Sequence, residues 1–219
     1  MKPRRKEKIK WSPELAYAVG LIATDGSLSI DGRHIDLTSR EKELIKLFQQ
    51  CLGLGNKIGR KSDGRSPKKK YYRIQFGDVI FYRWLNKIGL SPHKTKIIGR
   101  LKIPNEYFFD FLRGHFDGDG HSYSYWDKRW KSSFMFYTVF NSGNQAHIEW
   151  LRKKIKRLLK IKGHINQNGE GNLWQLKYAK GESRKLLPRL YYSDKIPFLK
   201  RKYLKIKQAE VEEPEDSLL

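Results

Sequence analysis

Hydrophobic residues recur at helical spacing in two segments that lie about a hundred residues apart. The apolar positions of the first are Leu44, Ile45, Phe48, Cys51 and Leu52, and those of the second are Ile148, Leu151, Ile155, Leu158 and Leu159. A polar capping signature precedes each segment, Thr38-Ser39-Arg40-Glu41 and Ser142-Gly143-Asn144-Gln145. Both segments are therefore predicted to be amphipathic helices.

Strand patterns surround each of these helices. In the first half, alternation points four apolar side chains to the core, namely Leu28, Ile30, Ile35 and Leu37. A hairpin is predicted after each helix, at 56–60 with 71–76 around the loop 61–70, and at 164–167 with 173–178 around the loop 168–171. A third helix is predicted near 79–88 and near 183–191.

One short motif precedes both sets of elements. The segment Ala18-Val19-Gly20-Leu21-Ile22-Ala23-Thr24-Asp25-Gly26 reappears 94 residues later as Leu112-Arg113-Gly114-His115-Phe116-Asp117-Gly118-Asp119-Gly120. The order helix, two strands, helix, two strands, helix is thus written twice, which predicts an α+β fold of two pseudo-symmetric halves. Pro104 places the junction near 103, giving a first repeat at 1–103, a second at 104–208 and an acidic, disordered tail at 209–219.

Charge narrows the function. The chain has 219 residues, with 46 Lys and Arg against 23 Asp and Glu, for a net charge of +23. Such a charge repels itself and indicates a polyanionic partner, for which nucleic acid fits better than a membrane surface. No apolar run approaches the ~18 residues of a membrane span. We therefore expect no membrane association and a cytoplasmic location. Cys51 is interpreted as a buried hydrophobic residue.

The motif itself indicates a divalent cation. Ser12-Pro13-Glu14 marks a helix start, so Asp25 lies at the far, C-terminal end. A helix C-terminus carries roughly half a negative charge, which disfavours an aspartate unless something positive is bound; the same holds for Asp119. Gly20 and Gly114 would let the two helices pack closely and bring both carboxylates together, and oxygen ligands suit Mg²⁺. The plainer interpretation is that both aspartates merely end their helices, and it is the better one for Asp117.

The two motif copies resemble those of the LAGLIDADG homing endonuclease family, and the resemblance covers nearly the whole chain. It implies two αββαββα halves packed through the motif helices, with antiparallel sheets forming a DNA-binding saddle. It places Asp25 and Asp119, with Thr24 and Gly118 before them, at a metal site for Mg²⁺, with Mn²⁺ as an alternative and Ca²⁺ as a non-catalytic substitute. It also implies a catalytic lysine after the third helix of each half, best matched by Lys94 and Lys202, with Lys96 and Lys200 as alternatives. A plain phosphate contact remains open for each lysine.

The residues on the strand faces opposite the core, and those of the two loops 60–70 and 126–131, are expected to touch double-stranded DNA, although any one of them could simply be solvated. In the first half they are Ser27, Ser29, Arg33, His34, Asp36, Thr38, Lys57, Lys61, Arg65, Lys70, Tyr71, Arg73 and Gln75. In the second half they are His121, Tyr123, Tyr125, Arg129, Lys131, Gln175 and Lys177.

The resulting hypothesis is a monomeric, metal-dependent homing endonuclease that cuts both strands of a long asymmetric target. Because the chain starts at Met1 and shows no splicing-block residues, an intron-encoded or free-standing protein is expected rather than an excised intein. The alternative is an RNA maturase, with intron RNA as a partner, or a DNA-binding protein that does not cleave.

Overall fold

The computed structural model of the chain describes residues 9–63, 66–130, 132–167 and 173–212. The first half has helices α1 (Pro13–Thr24), α2 (Lys42–Cys51), α3 (Val79–Ile88) and the single turn α4 (Lys94–Ile97), and strands β1 (Gly26–Leu28), β2 (His34–Ser39), β3 (Gly59–Asp63) and β4 (Ser66–Gly77). The second half has helices α5 (Phe108–Asp119), α6 (Gln145–Leu159), α7 (Lys180–Leu190) and α8 (Lys200–Val211), and strands β5 (His121–Trp126), β6 (Phe134–Ser142), β7 (His164–Gln167) and β8 (Trp174–Ala179).

Each half contains one antiparallel sheet of four strands, and the two sheets have the same topology. Their strand orders are β1-β2-β4-β3 and β5-β6-β8-β7. In the first sheet Ile35 pairs with Phe76 and Leu37 with Ile74, and all four side chains are buried. The side chains between them face the opposite way, because successive residues of a strand alternate. The predicted α+β fold of two αββαββα halves is confirmed.

Helices α1 and α5, here called the motif helices, form the centre of the molecule. In α1 every residue from Leu15 to Ala23 is buried, as expected for a helix that is apolar on all sides. Ser12 caps its start by accepting a 3.1 Å hydrogen bond from the Leu15 N–H. A β-carbon built on Gly20 would lie 2.6 Å from His115 N, and one on Gly114 would lie 2.9 Å from Tyr17 C. Glycine at both positions therefore sets the distance between the helices.

Several predicted boundaries differ from the structure. The alternation predicts Ile30 in the core, but β1 ends at Leu28 and the Ile30 side chain is 83% exposed in the turn that follows. The predicted loop 61–70 is mostly strand, since β3 and β4 extend past the core and pair Lys61 with Tyr71. Helix α7 begins at Lys180, three residues before the predicted start.

Helix α8 was not predicted, and it occupies part of the expected tail. It continues to Val211, and Ala209 is buried, so residues 209–211 are helical. The rest of the tail, 213–219, lies outside the described residues. Arg201 of α8 forms a bidentate pair with Glu41 at the start of α2, with distances of 3.0 and 2.6 Å, which ties this helix to the first half. Within the described ranges, no helix combines the length and apolar character that crossing a bilayer requires.

Candidate metal centre

Asp25 and Asp119 occupy equivalent places at the C-terminal ends of the motif helices. Asp25 caps α1 and donates its backbone N–H to Leu21 O at 3.0 Å. Asp119 is the last residue of α5. A β-carbon on Gly118 would lie 3.2 Å from Asp25 Oδ2 and within contact of Thr24. The carboxylate of the first half therefore lies directly against the residue that precedes Asp119.

Burial raises the pKa of both carboxyl groups, and the charge of Asp119 raises the pKa of Asp25 further. The pKa of Asp25 is raised to about 6, first by burial and then by the charge of Asp119, while Lys202 and Lys94 oppose the shift. Burial also raises the pKa of Asp119, again against the two lysines. Because two desolvated carboxylates disfavour each other's ionisation, a bound cation would favour the ionised form of both.

A buried lysine from each half reaches the end of a motif helix. Lys94 Nζ, at the start of α4, donates to Thr24 O at 2.6 Å. Lys202 Nζ, in the first turn of α8, donates to the carbonyls of Phe116, Gly118 and Gly120 at 2.7, 3.1 and 2.6 Å. Burial lowers the pKa of both lysines, and the two aspartates partly counteract it at Lys94. Of the alternatives, Lys200 is exposed, and the Lys96 side chain lies outside the described part of the chain.

The oxygen atoms gathered here suit a hard cation. Among the described residues there is no group of three or more His, Cys, Asp or Glu side chains with metal-binding geometry. Mg²⁺ does not need one, because it usually keeps several waters and takes one or two carboxylates together with substrate phosphate. The carbonyls of Thr24 and Gly118 already accept lysine protons, and each keeps a second lone pair. The residues present fit Mg²⁺ bound by Asp25 and Asp119.

Asp117, the additional acid of the second motif, has a structural position rather than one at the metal centre. Its Oδ2 accepts from Tyr17 OH of α1 at 2.8 Å and from the Leu199 N–H, just before α8, at 2.7 Å. Its side chain is buried, its Oδ1 has no hydrogen-bond partner among the described residues, and burial raises its pKa to about 6. One carboxylate oxygen thus joins the first half to the start of α8.

Arg113 fixes the chain that leads to α8. Its fully buried guanidinium donates to Pro197 O at 2.7 Å and to Leu190 O at 2.9 Å, and it pairs with Asp110 at 2.7 Å. Tyr192 OH donates to the same Asp110 oxygen at 2.8 Å. The segment between α7 and α8 is therefore held against α5. The equivalent position of the first motif is Val19, which cannot form such bonds.

Most of the predicted DNA contacts of the first half lie together on the polar face of the first sheet. Arg73 Nη2 lies 3.0 Å from Asp36 Oδ2, and Arg40 donates to Tyr71 OH at 3.1 Å. His34 Nδ1 makes a short contact with Asp31, whose pKa it lowers to about 2. The remaining members, all exposed or half-buried, are Ser27, Ser29, Arg33, Thr38, Lys57, Lys61 and Gln75.

The second sheet presents an aromatic face instead. Tyr123 and Tyr125 stack against each other and against Tyr137, with ring centroids 5.0 Å apart for Tyr123–Tyr137, and His121 stacks on Tyr123. Tyr137, which pairs directly with Tyr123 across the strands, was not among the predicted residues. The signal for it was the alternation within β6, where Tyr137 lies between the buried Phe136 and Thr138.

Gln175 does not stand free on this face as expected. It is only 7% exposed, and its Nε2 donates to Asn141 Oδ1 at 3.1 Å. Asn141 in turn donates to Asp119 O at 2.6 Å. Asn141 and Gln175 meet because they are direct partners in the sheet. Through Asn141, the two side chains support the C-terminal end of α5. Lys177 is half-buried at the register position of Val139.

The remaining predicted DNA contacts lie in or near the hairpin loops. Arg129 is 83% exposed in the turn after β5 and pairs with Asp127 at 3.5 Å. Arg65 and Lys131, together with the side chain of Lys70, lie outside the described residues. Cys51 packs partly buried against the core, and burial raises the pKa of its thiol to about 12, in agreement with its interpretation as a small hydrophobic residue.

The comparisons with known proteins agree with this arrangement. Residues 12–89 match the family described as the LAGLIDADG-like domain. The homing endonuclease I-WcaI, bound to its DNA recognition sequence, is 13% identical with a TM-score of 0.65 over 94% of both chains. The meganuclease I-SmaMI is 14% identical with a TM-score of 0.62, covering 95% of this chain and 94% of its own.

Two further relatives are much longer than the matched region. Full-length WhiA from Thermatoga maritima is 17% identical with a TM-score of 0.57, covering 95% of this chain and 63% of its own. A component of the A-type ATP synthase of Methanopyrus kandleri is 26% identical over 121 residues, which are 53% of this chain and 11% of that protein. This chain thus spans less than two thirds of WhiA and about a tenth of the ATP synthase component. Residues 12–89 thus match a LAGLIDADG-like domain, and both halves of the chain share the fold of solved LAGLIDADG homing endonucleases.

Proposed function

We propose that this chain is a site-specific endonuclease that hydrolyses one phosphodiester in each strand of double-stranded DNA. The observation that carries the proposal is the meeting of Asp25 and Asp119 at the ends of two crossing helices, each beside a buried lysine from its own half. A cleavage centre for two strands needs both half-sites, and each half of this chain supplies one.

Mg²⁺ bound by Asp25 and Asp119, with Mn²⁺ as a substitute and Ca²⁺ as a non-catalytic one, would supply an activated water and would offset the charge on the phosphate. Lys94 and Lys202 add two positive charges beside the position of that phosphate, and they hold the carbonyls of Thr24 and Gly118 in place. Their burial keeps water away, so that these charges act in a medium of low dielectric constant.

Recognition would fall to the polar faces of the two sheets. The first face offers Arg73, Gln75 and His34, side chains that can hydrogen-bond to base edges in the major groove. The second face is dominated by stacked tyrosines. Because the two faces differ in chemistry, the proposed target is asymmetric, and a single chain suffices to read it as a monomer. The solved relative I-WcaI is bound to a DNA recognition sequence, which supports duplex DNA as the partner.

The experiment uses genomic DNA of a related strain whose corresponding locus carries no insertion, incubated with the protein and Mg²⁺ and then sequenced at newly formed ends. We expect paired ends at one locus or a few loci, and none with a chelator, with Asp25→Asn or with Asp119→Asn. The control is Asp194→Asn, the same chemical change at an exposed aspartate outside the centre, which should cut normally. Vigorous cutting by either of the first two variants would show that the metal centre is wrongly assigned.

A binding protein that does not cleave is the second candidate, and WhiA, which contains a LAGLIDADG domain, shares the fold. An RNA maturase acting on intron RNA belongs to the same class of alternatives. Retention of one duplex sequence from a random pool, with no cutting in Mg²⁺ or Mn²⁺, would favour this candidate. Retention followed by cutting would favour the endonuclease.

A further inference from the structure

A cleft of about 750 Å³ lies between the segment that connects α4 to α5 and one side of α6. Its walls carry five basic residues and one tryptophan, namely Arg100, Lys102, Lys153, Lys154, Arg157 and Trp150. We call this feature the basic cleft. Lys154 Nζ donates to Ile103 O at 3.1 Å, and Arg157 donates to Asn105 Oδ1 at 2.9 Å, so that two of the cations also hold the walls together.

The charges of the basic cleft are not balanced by the protein. Of the described residues, Glu149 is the one carboxylate that lines it, and its Oε1 accepts a hydrogen bond from Gln145. Three of the basic residues, Arg100, Lys102 and Lys153, are exposed, and no carboxylate of the described residues lies at ion-pair distance from them. Burial, followed by the charges of Arg157 and Arg100, lowers the pKa of Lys154. A cluster of like charges with so little compensation is stabilised by an anionic ligand.

The basic cleft is separate from the polar strand faces. Helix α6 packs its buried side, including Ile148 and Leu151, against the core side of the second sheet. The tyrosines of β5 and β6 project from the other side of the same sheet. DNA lying on the strand faces would therefore leave the basic cleft free.

We propose that the basic cleft binds the phosphate backbone of a single-stranded nucleic acid, as a second site in addition to the proposed duplex site. The cleft has the volume of a ligand pocket, on the order of 300–1,000 Å³, which accommodates a few nucleotides of one strand but not a duplex. Sites for single strands combine a positive groove with an aromatic side chain on which a base stacks. The five cations supply the first element. The half-buried Trp150, which lines the cleft and is held by edge contacts with Phe108 and Phe111, supplies the second.

The test measures binding of fluorescein-labelled oligouridylate and oligothymidylate by anisotropy, using the full chain and an excess of unlabelled random duplex DNA. The duplex occupies the strand faces, so the labelled strand reports on other sites. The variant is Arg100→Glu combined with Lys153→Glu. Its control is Lys156→Glu combined with Lys185→Glu, which makes the same change in net charge at two exposed lysines outside the cleft.

We expect the cleft variant to bind the labelled strand at least about tenfold more weakly. Its salt dependence should lose a slope of about 0.7 for each phosphate contact removed. The control should stay within about threefold of the parent, since its charges contact no bound strand in this scheme. Tighter binding of the RNA probe, or of the DNA probe, identifies which strand the site takes. Equal weakening in both double variants, or complete displacement of the strand by duplex from the parent protein, would overturn the proposal.

Discussion

Replacing Gly20 with alanine adds one methyl group where the two motif helices approach each other most closely. The added carbon would lie 2.6 Å from His115 N and 2.9 Å from Gly114 C, both of which are backbone atoms of α5. Backbone cannot turn aside as a flexible side chain can. Phe111 O of the same helix would be closer still, so relieving the contact with His115 N to an ordinary separation of 3.4 Å sets a minimum: the helices must move apart by at least about 0.8 Å.

This displacement is larger than a metal centre tolerates. Asp25 follows Gly20 by five residues on the same helix, so it moves with it relative to Asp119. Functional geometry must hold to within roughly 0.5 Å, whereas overpacking of this kind costs about 1–3 kcal/mol of folding stability. For a chain of this size that cost lowers Tm by on the order of 5 °C. Cleavage should therefore be lost while the protein stays folded.

Thermal unfolding and DNA cleavage, measured side by side, check this expectation. Gly181→Ala is the matched control, because Gly181 also lies in a helix but has open space around its α-carbon. It should leave cleavage unchanged, and its Tm should stay the same or rise slightly, since alanine favours helix over glycine. A Gly20→Ala protein with full activity and the parental Tm would refute the close packing of the motif helices.

Three further predictions concern charge and burial. Affinity for duplex DNA should fall by on the order of 10³ to 10⁵ between low and moderate salt if six to ten phosphates are neutralised, and a flat titration would contradict the electrostatic interpretation. Asp117→Ala leaves Tyr17 OH and Leu199 N–H without their acceptor, so urea unfolding should show a loss on the order of 2–5 kcal/mol; Asp194→Ala, at an exposed position, should show almost none. Burial lowers the pKa of His147 to about 4, so the folded protein binds fewer protons than the unfolded chain between pH 4 and the ordinary histidine pKa of 6.5. Stability should therefore drop as pH falls through that window, by about 3 kcal/mol from this group, and His147→Leu should flatten the dependence.

Much of the fold follows from short-range patterns in the sequence. Helix α3 has the predicted bounds because Asp78 caps its start and Gly89, in the left-handed region, ends it. Helix α8 escaped prediction because its buried stripe is narrow and includes a lysine: Lys202, Ile206 and Ala209. Extension of β3 and β4 beyond the core has no hydrophobic signature, because a ribbon without a core beneath it needs no apolar alternation.

The candidate site was less accessible to sequence reasoning where it depends on long-range contacts. The internal repeat was enough to predict that Gly20 lies opposite Gly114 and that the two aspartates meet, because equivalent positions of two packed, equivalent helices lie close together. The hydrogen bond of Gln175 to Asn141 depends on strand register between β6 and β8, which the sequence does not fix. The sequence also does not fix which lysine, Lys200 or Lys202, reaches the end of α5, because this depends on the turn before α8.

The hydrogen bond between Tyr17 and Asp117 makes the two halves of the molecule non-interchangeable. At an offset of 94 residues, Tyr17 corresponds to Phe111 and Asp117 to Ala23. Two copies of the first half would leave the tyrosine hydroxyl facing alanine, and two copies of the second would bury an aspartate against phenylalanine. If the chain were divided near residue 103 and the pieces were produced separately, each would select the other over itself. In physical terms the chain is a heterodimer joined by a linker, because the mismatch at this one contact disfavours a symmetric pairing of either half.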